Sequence, residues 1–305
     1  MNTENRELLK RKVLARNKLY ELQGSRYKRL LKDPLRTLKY YIMQTVGYLQ
    51  PYKVTYTTLW GSKMNFYLPE GGMVYYYGFW EANLTNFFIN FLKEGDVFFD
   101  VGAHVGYYSI LASDLVGENG KVYSFEPTPR TFASLTENAN RKHNINAYNN
   151  AILNEETTID FFDYGPKYSA FNTFKKRTGK EIFFKEDVST ISVKTISLDA
   201  FCKSNSVTPT FIKIDAEGSE HLILGAMSFL LDTIHPLITI EVSNEQDLHD
   251  NSIKSITILK QKNYQCFKIL LDGTLEENTL EVIPKYDNFL FVHPTKRYLI
   301  KNLIS

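Results

Sequence analysis

The stretch VFFDVGAHVGYYS, residues 97–109, decides the fold of this chain. Its first five residues are typical of a buried strand and include an acid, Asp100. Two glycines, Gly102 and Gly106, follow four residues apart with His104 between them. Glycine allows the tight turn and close backbone approach that such a junction needs. The stretch therefore predicts a strand, a ligand-binding turn and a helix.

Strand and helix patterns alternate from this stretch onward. Strands are predicted at four further segments: KVYSFEP, a segment near INAYNNAIL, TFIKID and PLITIEV. The segments between them contain helical patterns. YQCFKILL and NFLFVHP near the end predict an antiparallel pair. This order indicates a mostly parallel sheet with helices on both faces. Such sheets bind ligands at the carboxyl ends of their strands, where the strand order reverses.

The acid at the first strand end distinguishes two classes of ligand. The spacing D-x-G-x-x-x-G differs from the G-x-G-x-x-G of dinucleotide-binding turns. A dinucleotide places its pyrophosphate on the helix N-terminus, where Asp100 would repel it. S-adenosylmethionine carries a sulfonium and an ammonium and no phosphate. We therefore predict S-adenosylmethionine as the cofactor, with Asp100 on the cofactor side and not the catalytic base.

Further cofactor contacts are predicted at the ends of the next two strands. Glu126 closes the strand VYSFE twenty residues after Gly106, where a carboxylate can accept both ribose hydroxyls. The alternative is an acid that caps the following helix. Asn150 and Ala151 stand at the height of an adenine contact, although adjacent asparagines also favour turns.

The segment FIKIDAEGSEHLILGA, residues 211–226, is rich in acids and supplies the catalytic candidates Asp215, Glu217 and His221. An alcohol is a poor nucleophile, so a base must accept its proton. His221 has a suitable intrinsic pKa. Glu217 can alternatively favour the dipole of the next helix. A divalent cation held by Asp215 and Glu241 is a less favoured alternative.

At these residues the sequence resembles the FkbM family of S-adenosylmethionine-dependent methyltransferases. The matching segments are GDVFFDVGAHVGYYS, VYSFEPTPRTFASLTENANRK, TISLDAF, IKIDAEGSEHLILGA and NFLFV. The resemblance implies an α/β class I methyltransferase fold, a Rossmann-like sandwich with a mostly parallel seven-stranded sheet and a C-terminal antiparallel hairpin. It also implies O-methylation of a hydroxyl on a sugar, a glycolipid or a polyketide-like molecule.

The resemblance carries over particular residue roles. It implies cofactor contacts at Gly102, Gly106 and Glu126, with Asp100 and Asp215 near the methionine end. Glu81 matches an acid that closes over the cofactor, and His104 stands where such motifs often have asparagine. A β-rich excursion after residue 157 is predicted to form the acceptor lid, with these candidates: Tyr164, Tyr168, Asn172 and Phe174.

Residues 1–50 lie outside the resemblance and are predicted to form a basic helical extension of a domain at 51–305. Residues 1–40 carry 12 Lys or Arg against 4 acids. Interruptions at Gly24 and Pro34 indicate two helices. This arm either packs on the core or on a second subunit, or makes a peripheral contact with an anionic membrane or an acidic partner.

Composition and short motifs exclude several kinds of site and indicate the compartment of the protein. Only Cys202 and Cys266 occur, without metal-ligand spacing, which indicates a reduced compartment with no disulfide. No HExxH cluster predicts zinc, and no segment has the roughly 18 apolar residues of a membrane span. A charged N-terminus without an apolar signal core leads us to expect a cytoplasmic protein.

Three other functions were weighed against methyl transfer. A nicotinamide oxidoreductase would need a phosphate-cradling turn and a Tyr-x-x-x-Lys proton donor near the cleft, and the sequence indicates neither there. A non-catalytic membrane-surface or partner-binding module that keeps the fold is the main alternative. Nucleic acid is not expected as a partner, because the body outside the arm is acidic. The expected partner is a small-molecule or glycan acceptor, and a homo-oligomer is left open.

Overall fold

A computed structural model describes residues 1–174, 188–245 and 248–305 of the chain. The arm forms three helices, α1 (Thr3–Tyr20), α2 (Arg26–Lys32) and α3 (Pro34–Leu49). The prediction of two helices is wrong, because Pro34 begins a helix instead of ending one. Proline suits the first helical turn, where its missing N–H is not needed. Asp33 caps this turn by accepting a hydrogen bond from the Arg36 backbone N–H at 3.2 Å.

The arm packs against the body through α1. Leu9 and Val13 of this helix are buried in the same core as the central sheet. The Arg6 guanidinium donates to the carbonyl oxygens of Ile89, at 2.5 Å, and Leu115, at 3.3 Å. These contacts agree with the prediction that the arm packs on the core. The domain boundary near residue 50 stays a prediction.

A hairpin and two helices follow the arm. The hairpin consists of β1 (Tyr52–Thr57) and β2 (Lys63–Leu68). Helix α4 is Gly72–Tyr77 and α5 is Ala82–Phe91. Helix α5 ends at Phe91 because Leu92 already has an extended backbone.

The alternation predicted for the rest of the chain is present. The elements in chain order are β3 (Val97–Val101), α6 (Tyr107–Val116), β4 (Lys121–Phe125), α7 (Pro129–Ala139), β5 (Ile145–Tyr148), β6 (Ala151–Ile152), β7 (Thr158–Asp163), β8 (Ser189–Ile196), α8 (Leu198–Asn205), β9 (Phe211–Ile214), α9 (Glu220–Gly225), β10 (Leu237–Ser243), α10 (His249–Gln261), β11 (Gln265–Ile269), β12 (Leu275–Glu277) and β13 (Tyr286–Val292). Short helical turns occupy Ser169–Phe171, Leu230–Ile234 and Pro294–Leu299.

The central sheet has the strand order β12-β11-β13-β10-β9-β3-β4-β5. Strands β5, β4, β3, β9 and β10 run parallel, while β13 is antiparallel to both β10 and β11. This is the class I methyltransferase arrangement. The sheet has eight strands where seven were predicted, because the short β12 pairs with the outer edge of β11.

The strand order reverses at β3, which lies between β4 and β9. Asp100 of β3 pairs in register with Lys213 of β9, and Val101 pairs with Ile214. The chain segments that follow β3, β9 and β10 therefore meet at one edge of the sheet. This edge is where a ligand is expected in an open α/β sheet.

A separate three-stranded sheet lies beside this edge, with the order β6-β8-β7. The third strand of the central sheet was predicted to run through residue 153, but it ends at Tyr148. The Asn149 side chain donates to the carbonyl oxygens of Glu126 and Pro127, both at 2.9 Å. Residues 149 and 150 thus separate β5 from β6, and Asn149 ties this connection to the segment that follows β4.

Most of the phenylalanine side chains lie in the core. Phe98 and Phe211 stack at 5.7 Å between adjacent strands, and Phe88 of α5 meets both rings edge-on. All three side chains are buried. Cys202 and Cys266 are also buried, and neither forms a disulfide. Aromatic-rich strands therefore account for much of the phenylalanine in the composition.

Candidate active site

The turn after β3 requires glycine for both conformation and space. Gly102 has φ +77 and Gly106 has φ +89, values that side chains disfavour. A Cβ on Gly102 would lie 1.8 Å from the carbonyl oxygen of Asp215. The backbone of the β3 turn therefore touches the backbone of the β9 turn. This contact forms a cradle that a side chain at residue 102 would fill.

Asp100 is buried behind this cradle. Its carboxylate accepts a hydrogen bond from Ser109 Oγ at 2.6 Å, and Lys213 Nζ lies 3.7 Å from its other oxygen. Burial raises the pKa of Asp100, and Lys213 opposes that shift. Sequence reasoning expected a cation beside Asp100, and the structure places Lys213 there. Asp100 is not among the described residues that line the cavity.

Lys213 is the principal residue that sequence reasoning missed. Its ammonium also lies 3.0 Å from Asp215 Oδ2, so it joins the ends of β3 and β9. Burial alone would lower the pKa of Lys213, but Asp215 and Asp100 raise it above the ordinary lysine value. A lysine inside the apolar strand FIKID was the available signal, since a buried charge needs a partner.

Glu126 occupies the end of β4 as predicted, and both proposed roles have structural support. Its carboxylate accepts from Thr131 Oγ1 at 2.7 Å and from the backbone N–H groups of Thr128 and His104 at 3.0 and 2.9 Å. Burial raises the pKa of Glu126. The side chain caps the start of α7, and it also lines the cavity.

His104 lies in the β3 turn with φ +50. Its Nε2 is 2.9 Å from Ser169 Oγ, in the segment predicted to form the lid. Burial lowers the pKa of His104 to about 4, so its ring is neutral near pH 7. The residue therefore connects the cofactor turn to the lid segment without adding charge.

Glu81 lies just before α5 and is held by three donors. Its carboxylate accepts from Tyr108 OH at 2.9 Å, Tyr286 OH at 2.7 Å and Asn288 Nδ2 at 2.6 Å. Burial raises the pKa of Glu81, and the nearby Asp215 adds to the shift. The cavity is lined by Tyr286, and Glu81 is not among its described lining residues. Glu81 therefore positions Tyr286 at the cavity wall.

Three carboxylates converge at the ends of β9 and β10. Ligand atoms of Asp215, Glu217 and Glu241 all lie within 4.8 Å of one another, so this group can hold a metal ion. Burial raises the pKa of Glu241 well above its usual range, and Glu217 and Asp215 add to the shift. Such crowding makes Glu241 a stronger base than an ordinary carboxylate. Sequence reasoning considered Glu241 only as a metal ligand.

The remaining predicted residues divide between the cavity and its surroundings. Asn150 and Ala151 line the cavity, whereas Gly106 and His221 are not among its described lining residues. His221 is the second residue of α9, whose buried residues are Glu220, Ile223 and Leu224. The catalytic prediction for His221 therefore has no support from its position.

These groups surround one cavity of about 730 Å³. This volume lies in the range of small-molecule sites. Of the predicted lid residues, Asn172 and Phe174 line the cavity, whereas Tyr164 and Tyr168 are not among its described lining residues. Residues 175–187 of the predicted excursion lie outside the described residues.

The cavity wall also includes residues that no motif indicated. Tyr20 and Gln23, at and just after the end of α1, contribute to it, as does Trp80. The Trp80 ring lies 6.0 Å from the ring of His104. The arm was treated as an appendage at the sequence level, so its contribution to the site was missed.

Comparison with known proteins agrees with this geometry. The family model described as "Methyltransferase FkbM domain" matches residues 100–266, more than half of the chain. The hexuronic acid methyltransferase AglP of Haloferax volcanii is 28% identical over 159 residues, 52% of this chain and 61% of that protein. The 31-O-demethyl-FK506 methyltransferase FkbM of Streptomyces tacrolimicus is 31% identical over 83 residues, 27% of this chain and 32% of that protein.

The chain thus spans less than two thirds of the length of both relatives. A solved structure of methyltransferase FkbM from Methylobacillus flagellatus is 15% identical, with a TM-score of 0.43 over 74% of this chain and 55% of that chain. The family model covers β3 through β11 and includes the glycine turn and the three converging carboxylates. The chain therefore belongs to the family of the FkbM methyltransferase domain.

Proposed function

We propose that this protein is an S-adenosylmethionine-dependent O-methyltransferase that acts on a hydroxyl of a sugar, a glycolipid or a polyketide-like molecule. The observation that carries the proposal is a cavity whose lining contains two chemically distinct groups. The first group is the glycine cradle with Glu126, and the second is the carboxylates of Asp215, Glu217 and Glu241, which adjoin the first group where Asp215 touches Gly102.

The first group, the glycine cradle with Glu126, fits the proposed cofactor. Bound S-adenosylmethionine supplies an electrophilic methyl group on a sulfonium. Glu126 lines the cavity and would accept hydrogen bonds from ribose hydroxyls, while Asn150 and Ala151 would contact the adenine. Gly102 lines the cavity, and its lack of a side chain lets the β3 turn pack directly on the backbone of Asp215. Asp215, beside Lys213, would face the ammonium or the sulfonium.

The second group, the three carboxylates, fits removal of a proton from an alcohol. Asp215 is already paired with Lys213 at 3.0 Å. Burial and the neighbouring acids raise the pKa of Glu241. A base is most effective when its pKa is close to the working pH. We therefore favour Glu241 as the base, with Glu217 as the neighbour that keeps its pKa high.

The names of the relatives support an oxygen-rich acceptor. Both are methyltransferases, one for a hexuronic acid and one for the 31-O-demethyl form of FK506. In this chain the acceptor would bind beside three carboxylates and the buried Lys213. Since carboxylates repel an anionic acceptor, we expect a neutral hydroxyl-bearing group to bind better than a uronate.

A methyl-transfer assay tests this proposal. The protein is incubated with isotopically labelled S-adenosylmethionine and paired neutral and uronate glycosides, and the products are identified by mass spectrometry. We expect one labelled methyl on an oxygen of a neutral acceptor and loss of transfer in Glu241→Gln. Transfer to nitrogen or carbon, or full activity in Glu241→Gln, would contradict the proposal.

A further inference from the structure

The outermost helix of the arm, α3, has its apolar residues on the side that faces solvent. Leu35 is 83% exposed and Leu49 is 84% exposed, at opposite ends of the helix. At 100° per residue, five apolar residues fall within a sector of about 80°. We call this surface the α3 stripe, and its members are Leu35, Leu38, Ile42, Val46 and Leu49.

Polar contacts hold the opposite side of α3 against the body. Thr37 is buried, and its hydroxyl lies 2.6 Å from Tyr76 OH and donates to the carbonyl oxygen of Arg29 at 3.1 Å. A Cβ on Gly47 would lie 2.9 Å from the carbonyl oxygen of Leu68, so the helix approaches the hairpin backbone closely there. These contacts fix the rotation of α3 about its axis and keep the α3 stripe outward.

Helix α2 likewise buries a polar side chain and exposes apolar ones. Its buried residue is Arg29, whose guanidinium donates to Tyr77 OH at 3.1 Å and Tyr41 OH at 2.5 Å. Tyr27 is 70% exposed and Leu31 is 67% exposed. Two consecutive helices thus bury polar side chains and expose apolar ones. A contiguous exposed apolar surface of this kind marks an interaction site.

The charges around the α3 stripe are positive. Exposed cations flank it at Arg26, Lys28, Lys32 and Lys39. The one acid in the sequence between residues 25 and 50 is Asp33, and it caps α3. A second copy of this surface would bring like charges together, whereas an anionic surface would neutralise them.

We propose that the α3 stripe, with Tyr27 and Leu31 of α2, docks on the surface of an anionic lipid bilayer. The helix is about 24 Å long and would lie in the plane of the interface. Its leucines would enter the boundary between headgroups and acyl chains. Lys28, Lys32 and Lys39 would extend their ammonium groups to anionic headgroups. Among the described residues, no helix is both long and apolar enough to cross a membrane.

Vesicle co-sedimentation of the full chain tests this inference. The probes are phosphatidylcholine vesicles with and without phosphatidylserine, at low and high salt. We expect sedimentation with the anionic vesicles alone, weakened by salt because exposed charges are screened. Equal binding to neutral vesicles, or none to anionic vesicles, would overturn the inference.

Variants separate docking from general hydrophobicity. Leu35→Ser with Leu49→Ser should lower partitioning by roughly tenfold or more, while Val282→Ser, at a site 83% exposed elsewhere, should not change it. Lys32→Gln with Lys39→Gln should lower partitioning about fivefold per lysine. Thermal midpoints should be unchanged, since these side chains face solvent.

The competing occupant is a second copy of the chain. Sedimentation velocity without lipid distinguishes the two. A dimer that dissociates in Leu35→Ser with Leu49→Ser would assign the α3 stripe to self-association and overturn lipid docking. A monomer in both proteins, together with stripe-dependent vesicle binding, supports lipid docking.

Discussion

Replacing Lys213 with methionine tests the buried charge network that joins the two central turns. Lys213 Nζ lies 3.0 Å from Asp215 Oδ2 and 3.7 Å from Asp100 Oδ1. At an effective dielectric constant of about 20, these separations give attractions of about 5.5 and about 4.5 kcal/mol. Desolvation of the buried ions cancels much of this sum. Removal of one partner is nevertheless expensive, because it leaves an unpaired charge.

The two carboxylates should respond differently to Lys213→Met. The Asp215 side chain is 26% exposed and can regain water, whereas Asp100 is fully buried. We expect the free energy of unfolding to fall by roughly 3–5 kcal/mol, most of it from Asp100. Adding Asp100→Asn removes that stranded charge, so the double variant should recover at least about 2 kcal/mol.

Urea unfolding followed by tryptophan fluorescence measures these differences. Lys194→Met, at an exposed lysine of β8, is the matched control and should change stability by less than about 0.5 kcal/mol. Additive losses in Lys213→Met and Asp100→Asn would refute the reasoning, because independent sites show no coupling. Equal loss in Lys194→Met would also refute it.

Three further predictions concern the same edge of the sheet. Gly102→Ala should cost about 2 kcal/mol more stability than Gly95→Ala in urea unfolding, because both have positive φ but only the former meets the Asp215 carbonyl oxygen. Burial raises the pKa of Glu220 to about 7, so the stability that this residue contributes should fall by roughly 3 kcal/mol from pH 4.5 to 7, and calorimetry should show the difference in stability between the wild type and Glu220→Gln changing by that amount over this range. The acid limb of the methyl-transfer pH profile should lie above the range of ordinary carboxyl groups, since the pKa of Glu241 is raised, and a limb near pH 4 would contradict that role.

The glycine turn could be predicted because its cause is local. A strand that ends in an acid and continues into glycines four residues apart has few folded alternatives, and Gly102 and Gly106 both have positive φ. Glu126 was also found by its spacing from this turn. Its spacing could not decide between helix capping and ligand binding, since both use the same carboxylate.

The partners of Asp100 could not be predicted, because they depend on pairing across the sheet. Asp100 and Lys213 are neighbours through the register of β3 and β9, which are separated by more than a hundred residues. For the same reason, the sequence predicted a cationic group of the cofactor near Asp100 and could not show that Lys213 of the chain itself lies there.

The acid-rich segment after β9 shows a different limit. Asp215 and Glu217 line the cavity, but the turn before α9 places His221 outside the described lining. Glu217 has φ +50 in this turn, and Gly218 has φ +90. Sequence spacing does not reveal such a turn, so His221 was included among the catalytic candidates for the intrinsic pKa of its residue type.

Titration calorimetry with S-adenosylmethionine and S-adenosylhomocysteine tests the central claim most directly. The proposed role of the cavity predicts saturable binding of both at a single site, with affinity lowered in Glu126→Gln at a temperature at which circular dichroism shows that variant to be folded. Absence of binding by either compound at millimolar concentration would contradict the assignment of the cofactor and, with it, the proposed methyl transfer.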